Sequence, residues 1–168
     1  MTYTDQAQMA YADLHKNPSY MVAQPPLIET AAAKEYCSRT MPGPARTGVL
    51  IYAKNLLAVS AFYEKVLGAK VLHADHEHRV LQSPDVQLII HAIPEQHSSS
   101  IAIQVPPVAR EEQAIKPFFT VESLAAAERI AEQCGGRVWG PVWPGPGIQV
   151  RNVCDPEGNI LHLRGSAA

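Results

Sequence analysis

Basic residues are not in excess in this sequence: 14 Lys and Arg stand against 16 Asp and Glu, for a formal net charge of -2. That balance offers no basic stripe to neutralise phosphates, so neither a nucleic acid nor an anionic membrane is expected as partner. Cysteine is scarce. The three present, Cys37, Cys134 and Cys154, are odd in number and form no CxxC pair, which argues against a disulfide framework or zinc knuckle and for free thiols in a reducing cytoplasm. No stretch reaches the roughly 18 consecutive apolar residues of a membrane span. The first residues, MTYTDQAQMAYADLHKNP, lack the basic and apolar regions of a secretory signal. The expected location is the cytoplasm. A phosphate loop, a dinucleotide fingerprint and a Ser-His-Asp motif are missing as well.

What is present is the composition of a globular protein, 46% hydrophobic and 18% charged over 168 residues, enough for one domain with a buried core. Residues 1–46 read as an extension, polar and alanine-rich pieces broken by Pro25, Pro26, Pro42 and Pro44, with a short helix expected over Leu27–Ser38. From Gly48 the patterning sharpens. GVLIYA reads as a strand, and LLAVSAFYEKVLG as a helix with Leu56, Val59, Phe62 and Val66 at helical spacing and Gly68 at its end. AKVLHA, HRVLQS and VQLIIHAI read as strands, IAIQV as a further short one, and PPVAREEQA as a linker. The order then recurs. IKPFFTV is a strand, SLAAAERIAEQCGG a helix with Ser123 as N-cap, and GRVWGPV, GIQVRNVC and NILHLRG are strands, the last two joined by a DPEG turn. Internal repetition at about 70 residues is the chief organising fact. The modules run over about 47–95 and 113–166, within a domain of residues 47–168.

GVLIYAKNLLAVSAFYEKVLG, KPFFTVESLAAAERIAEQCGGRV and PGPGIQVRNVCDPEGNILHLR, in that order, resemble the module openings and the close of the vicinal oxygen chelate superfamily, whose members include glyoxalases, extradiol dioxygenases and bleomycin-binding proteins. The resemblance implies an α+β fold of two paired βαβββ modules, their curved mixed sheets enclosing a cavity, and a homodimer. It leaves the reaction open. Enzymatic members usually hold a divalent metal, whose ligand positions fall here on Gly48, Lys116, His162 and one of Gln87, Ile89 or His91.

Strand alternation assigns faces. Val49, Ile51 and Ala53, Val86, Leu88, Ile90 and Ala92, and Leu161 and Leu163 should pack on the helices. Leu50 and Tyr52, Gln87, Ile89 and His91, Lys116, Phe118 and Thr120, and Ile160, His162 and Arg164 should face the cavity. Gly48 has no donor atom and Lys116 is a cation, so His162 is a competent ligand and, even granting His91 by a register change, only two result. Catalytic sites supply about three ligands, and a metal-free cavity is the expectation. Tyr52, His91, Lys116, Phe118, His162 and Arg164 would converge as apolar walls with a few polar groups, with Trp143 as an aromatic flap in a Pro/Gly-rich loop. In HADHEHR, His76 and His78 would share a strand face where a transition metal could bind adventitiously; the segment reads as a solvated hairpin tip. The function expected is binding of a small aromatic or amphipathic, anionic molecule without a cofactor. The alternative is a metal-dependent lyase, isomerase or dioxygenase using His162 and a divalent metal ion.

Overall fold

The computed structural model describes residues 47–84 and 86–167. The extension, with its expected helix at 27–38 and Cys37, lies outside the described residues. The first module runs β1 (Gly48–Ala53), α1 (Leu56–Leu67), β2 (Lys70–Ala74), β3 (His78–Gln82) and β4 (Gln87–Ala92). After a single helical turn, α2 (Glu95–Ser98), the second runs β5 (Phe118–Thr120), α3 (Leu124–Gln133), β6 (Arg137–Gly145), β7 (Ile148–Cys154) and β8 (Ile160–Ser166). Each module builds its own four-stranded sheet, in the orders β1-β4-β3-β2 and β5-β8-β7-β6. In both, the first strand pairs in parallel with the last, and the other pairings are antiparallel. The repeat legible in the sequence is thus a repeat of topology.

The helices form where their caps and spacing place them. Asn55 accepts from the Ala58 amide at the start of α1, and Gly68 ends it at φ 58, a left-handed conformation that suits glycine. Ser123 caps α3 through the Ala126 amide. Leu56, Val59, Phe62 and Val66 are buried along α1 as their spacing predicts. Together with Leu81, Leu88 and Ile90 of the first sheet and Phe119, Val153, Leu161 and Leu163 of the second, they form one core. The α1 helix packs on β3, β4 and α3, and α3 on β6, β7 and β8. Tyr63 joins the modules: its ring lies edge-on to Phe119 at 6.1 Å between centroids.

The DPEG turn also ties the modules together. Asp155 is fully buried and accepts from the amides of Glu157 (2.9 Å) and Asn159 (3.0 Å), from Asn159 Nδ2 (2.8 Å) and from Tyr63 Oη (3.3 Å). Glu157 reaches across to the start of α1, accepting from the amides of Lys54 (3.0 Å) and Asn55 (2.6 Å). Two backbone donors at the entry to α1, those of the N-cap residue and the one before it, are thereby satisfied from the far end of the chain.

Three expectations change. IAIQV is not a strand. The strand expected over IKPFFTV is only Phe118–Thr120, because Gln113 occupies the edge of β8 beside it: its side chain accepts from the Ile160 amide (3.0 Å) and donates to the Ile160 carbonyl (3.2 Å). The β6 strand runs on to Gly145, so Trp143 sits in a ladder opposite Val150 and not in a loop. Among the described residues no helix is long and apolar enough to cross a membrane.

Candidate functional site: two open sheet faces

Both sheets give one face to the shared core, which leaves the other face of each outside it. Register fixes what those open faces carry, since directly paired residues point the same way. On the first sheet, Tyr52, His91 and His78 form one row across β1, β4 and β3, and Leu50, Ile89 and Val80 the next. Tyr52 and Leu50 are 58% and 53% exposed, and the Tyr52 and His91 rings lie 5.7 Å apart. The His91 Nδ1 is 3.0 Å from the Ala92 carbonyl. A carbonyl can only accept, so that nitrogen carries the proton.

On the second sheet, Phe118, His162, Asn152 and Trp139 form one row and Thr120, Arg164, Val150 and Trp143 another. Phe118 is 57% exposed, with the Arg164 guanidinium carbon 4.0 Å from its ring centroid. Arg164 Nε donates to Thr120 Oγ1 at 2.7 Å, which holds the guanidinium over the ring. Beside them the Nε2 of His162 is buried with no hydrogen-bond partner among the described residues, and so is Trp143 Nε1. Burial, and then the nearby Lys116 ammonium, hold the His162 imidazole below its ordinary pKa. Lys116 is mostly covered, its Nζ 4.0 Å from Glu111 Oε2. Ile160, expected to line a cavity, is buried at the end of this face opposite Cys154. Burial pushes the Cys154 thiol up to about 11, so it is a poor nucleophile at neutral pH.

The candidate residues therefore fall into two sets, Tyr52 with His91 on one sheet and Lys116, Phe118, Trp143, His162 and Arg164 on the other. A shallow recess of about 150 Å³ lies elsewhere, lined by linker residues such as Gln104 and Pro107, and is small against the roughly 300 Å³ at the lower end for ligand pockets.

The metal positions implied by the family resemblance do not make a metal site from these residues. Gly48 pairs with Gln87 on the first sheet, and neither provides an imidazole or carboxylate. On the second sheet the residue at the other implied position is Lys116, whose ammonium offers no lone pair to a metal, so His162 stands as the one imidazole there. Sequence reasoning missed a different group, on the β2–β3 hairpin. His73, Asp75 and His78 each offer a ligand atom, all within 4.8 Å of one another. The expected pairing of His76 with His78 is wrong, because β3 begins only at His78 and leaves His76 in the turn, its side chain 91% exposed.

No family model matches the sequence, and no curated protein does. Solved structures match the fold. A glyoxalase/bleomycin resistance protein/dioxygenase family enzyme from Burkholderia phytofirmans PsJN aligns with a TM-score of 0.54 at 18% identity, over 72% of this chain and 98% of that one. A glyoxalase/bleomycin resistance protein from Albidiferax ferrireducens T118 gives 0.53 at 16% identity, over 72% and 98%. A genomically encoded fosfomycin resistance protein from Listeria monocytogenes gives 0.52 at 12% identity, over 72% and 92%. With its two βαβββ modules, the chain has the fold of the vicinal oxygen chelate superfamily.

Proposed function

We propose that the protein binds a small aromatic or amphipathic molecule bearing an anionic group on the open face of the second sheet, without a metal at His162, and that a second copy of the chain covers that face. The observation that carries this reading is the pairing of an exposed ring, Phe118, with an immobilised guanidinium, Arg164, beside the unpartnered Nε2 of His162. Phe118 supplies stacking area, Arg164 a charge-assisted donor for a carboxylate or phenolate, and His162 one further polar contact. A single copy leaves Leu50, Tyr52 and Phe118 exposed, and large exposed apolar side chains of this kind are what an interface covers. A symmetric pair that set the first sheet of one copy on the second sheet of the other would bring the two residue sets together.

Equilibrium dialysis against 2-naphthoate and the neutral 2-naphthalenemethanol tests the reading, with sedimentation velocity for the pair. Saturable binding of the naphthoate over the alcohol is expected, weakened by about tenfold or more in Arg164→Ala, since a charged hydrogen bond contributes about 1.5–3 kcal/mol. Equal affinity for both compounds, or naphthoate binding untouched in Arg164→Ala, overturns it.

A further inference from the structure

The hairpin between β2 and β3 carries a second arrangement that the ligand reading does not use. The ladder between these strands slips at Leu72: Val71 pairs with Leu81, but the next pair is His73 with Val80. In a regular ladder Leu72 would oppose Val80, and His73 would pair with Arg79 on the helix side. The extra residue turns His73 onto the open face, the side that Val80 and His78 share; re-aiming a side chain is what a bulge does. As a result the His73 and His78 rings stack at 4.8 Å and 28°, and His91 lies beyond His78 at 5.9 Å and 15°. Three imidazoles from three strands stand in a row.

Asp75 completes the group. Its Oδ1 accepts from the amides of Glu77 and His78, both at 2.8 Å, which fixes the carboxylate within the turn. Its Oδ2 lies 2.8 Å from His73 Nε2, and Oδ1 lies 3.3 Å from His78 Nδ1. One nitrogen from each of two imidazoles thus faces a single carboxylate that the backbone already orients. No cationic side chain is paired with this carboxylate among the described residues other than these histidines. Its own charge favours a cation, whereas the family-implied positions of the second sheet have an ammonium beside His162.

We propose that His73 Nε2, His78 Nδ1 and Asp75 bind a divalent transition metal ion of the zinc, nickel or cobalt type. Imidazole with carboxylate is a donor set suited to these ions, and small side-chain rotations bring the atoms to the roughly 2.0–2.2 Å of such bonds. Binding displaces the proton that His73 and Asp75 share and requires both imidazoles to be neutral. Three protein ligands leave room for water or for an anionic group of a bound molecule. Half-exposed at His73, the site fills from solvent.

Zinc chloride titrated calorimetrically into the full chain without a histidine tag, at about pH 7.5, tests this independently of any organic ligand. One saturable equivalent is expected, with affinity falling more than about tenfold in His73→Ala and in His78→Ala, and unchanged in His76→Ala and His162→Ala. Circular dichroism of each variant without metal reports whether the hairpin substitutions leave the fold intact, as the half-exposed His73 and the one-third-exposed His78 lead one to expect. Non-saturating uptake, or tight binding retained in both His73→Ala and His78→Ala, overturns the proposal; loss in His162→Ala alone moves the ion to the second sheet and contradicts the metal-free reading there.

Discussion

On the first sheet the open face carries a row of imidazoles, His73, His78 and His91, the first two around one fixed carboxylate. On the second it carries a guanidinium lying on a ring and an imidazole held neutral by burial and a nearby ammonium. The two modules share strand order, parallel pairing and helix position, so backbone topology does not make the difference. A one-residue bulge and a handful of side chains do. One face groups imidazoles around a carboxylate and the other sets a guanidinium on a ring, so a repeated backbone topology carries different side-chain chemistry in its two halves.

The halves also differ in how each helix begins, and the largest predicted effects lie there. Replacing Asp155 with Ala strands two backbone amides, an Asn side chain and the Tyr63 hydroxyl in a buried turn. A loss of about 3 kcal/mol is expected in the free energy of urea unfolding, several unsatisfied donors each costing about 1–3 kcal/mol; a loss below about 1 kcal/mol would remove the turn from its role as the tie between modules. Glu157→Ala frees the Lys54 and Asn55 amides that lead into α1 and should cost about 2 kcal/mol, against about 1 kcal/mol for Ser123→Ala, which removes a local cap of the kind Asn55 gives α1. If the two variants lose equally, the long-range tie of Glu157 contributes no more than a local cap.

Smaller still is the pH effect on the second face. His162 has its folded pKa depressed below the ordinary 6.5, so the unfolded chain binds the proton first as pH falls. The stability this represents is full above that value and is lost as pH drops through it towards the folded pKa. His162→Gln is expected to flatten the pH dependence of the unfolding midpoint between about pH 7 and 5. An unchanged slope would mean that the imidazole is solvated.

Much of this was legible from residues alone. Period-3.6 apolar spacing located α1, Ser123 and Gly68 marked helix ends, and strand alternation assigned Tyr52, His91, Phe118, His162 and Arg164 to the faces they occupy. What stayed hidden depended on contacts distant in sequence or on local irregularity. Nothing in AKVLHA announces the bulge at Leu72, and without it alternation puts His73 on the wrong side. Nothing in PPVAREEQA announces that Gln113 takes the edge of β8 and shortens β5. Trp143 was read as loop because Pro and Gly surround it, yet a register shift lets β6 continue past them.

The carboxylate of Glu157 lies 103 residues beyond the Lys54 amide it receives, and this gives the first helix a schedule. A ribosome extends a chain at about 5–20 residues per second, so α1 is made several seconds before the group that receives the two amides leading into it. During that interval the first module has its own Asn55 cap and α1 against its sheet, but the amides of Lys54 and Asn55 await their acceptor. The two amides that lead into α1 therefore meet their acceptor only once the closing hairpin has been made.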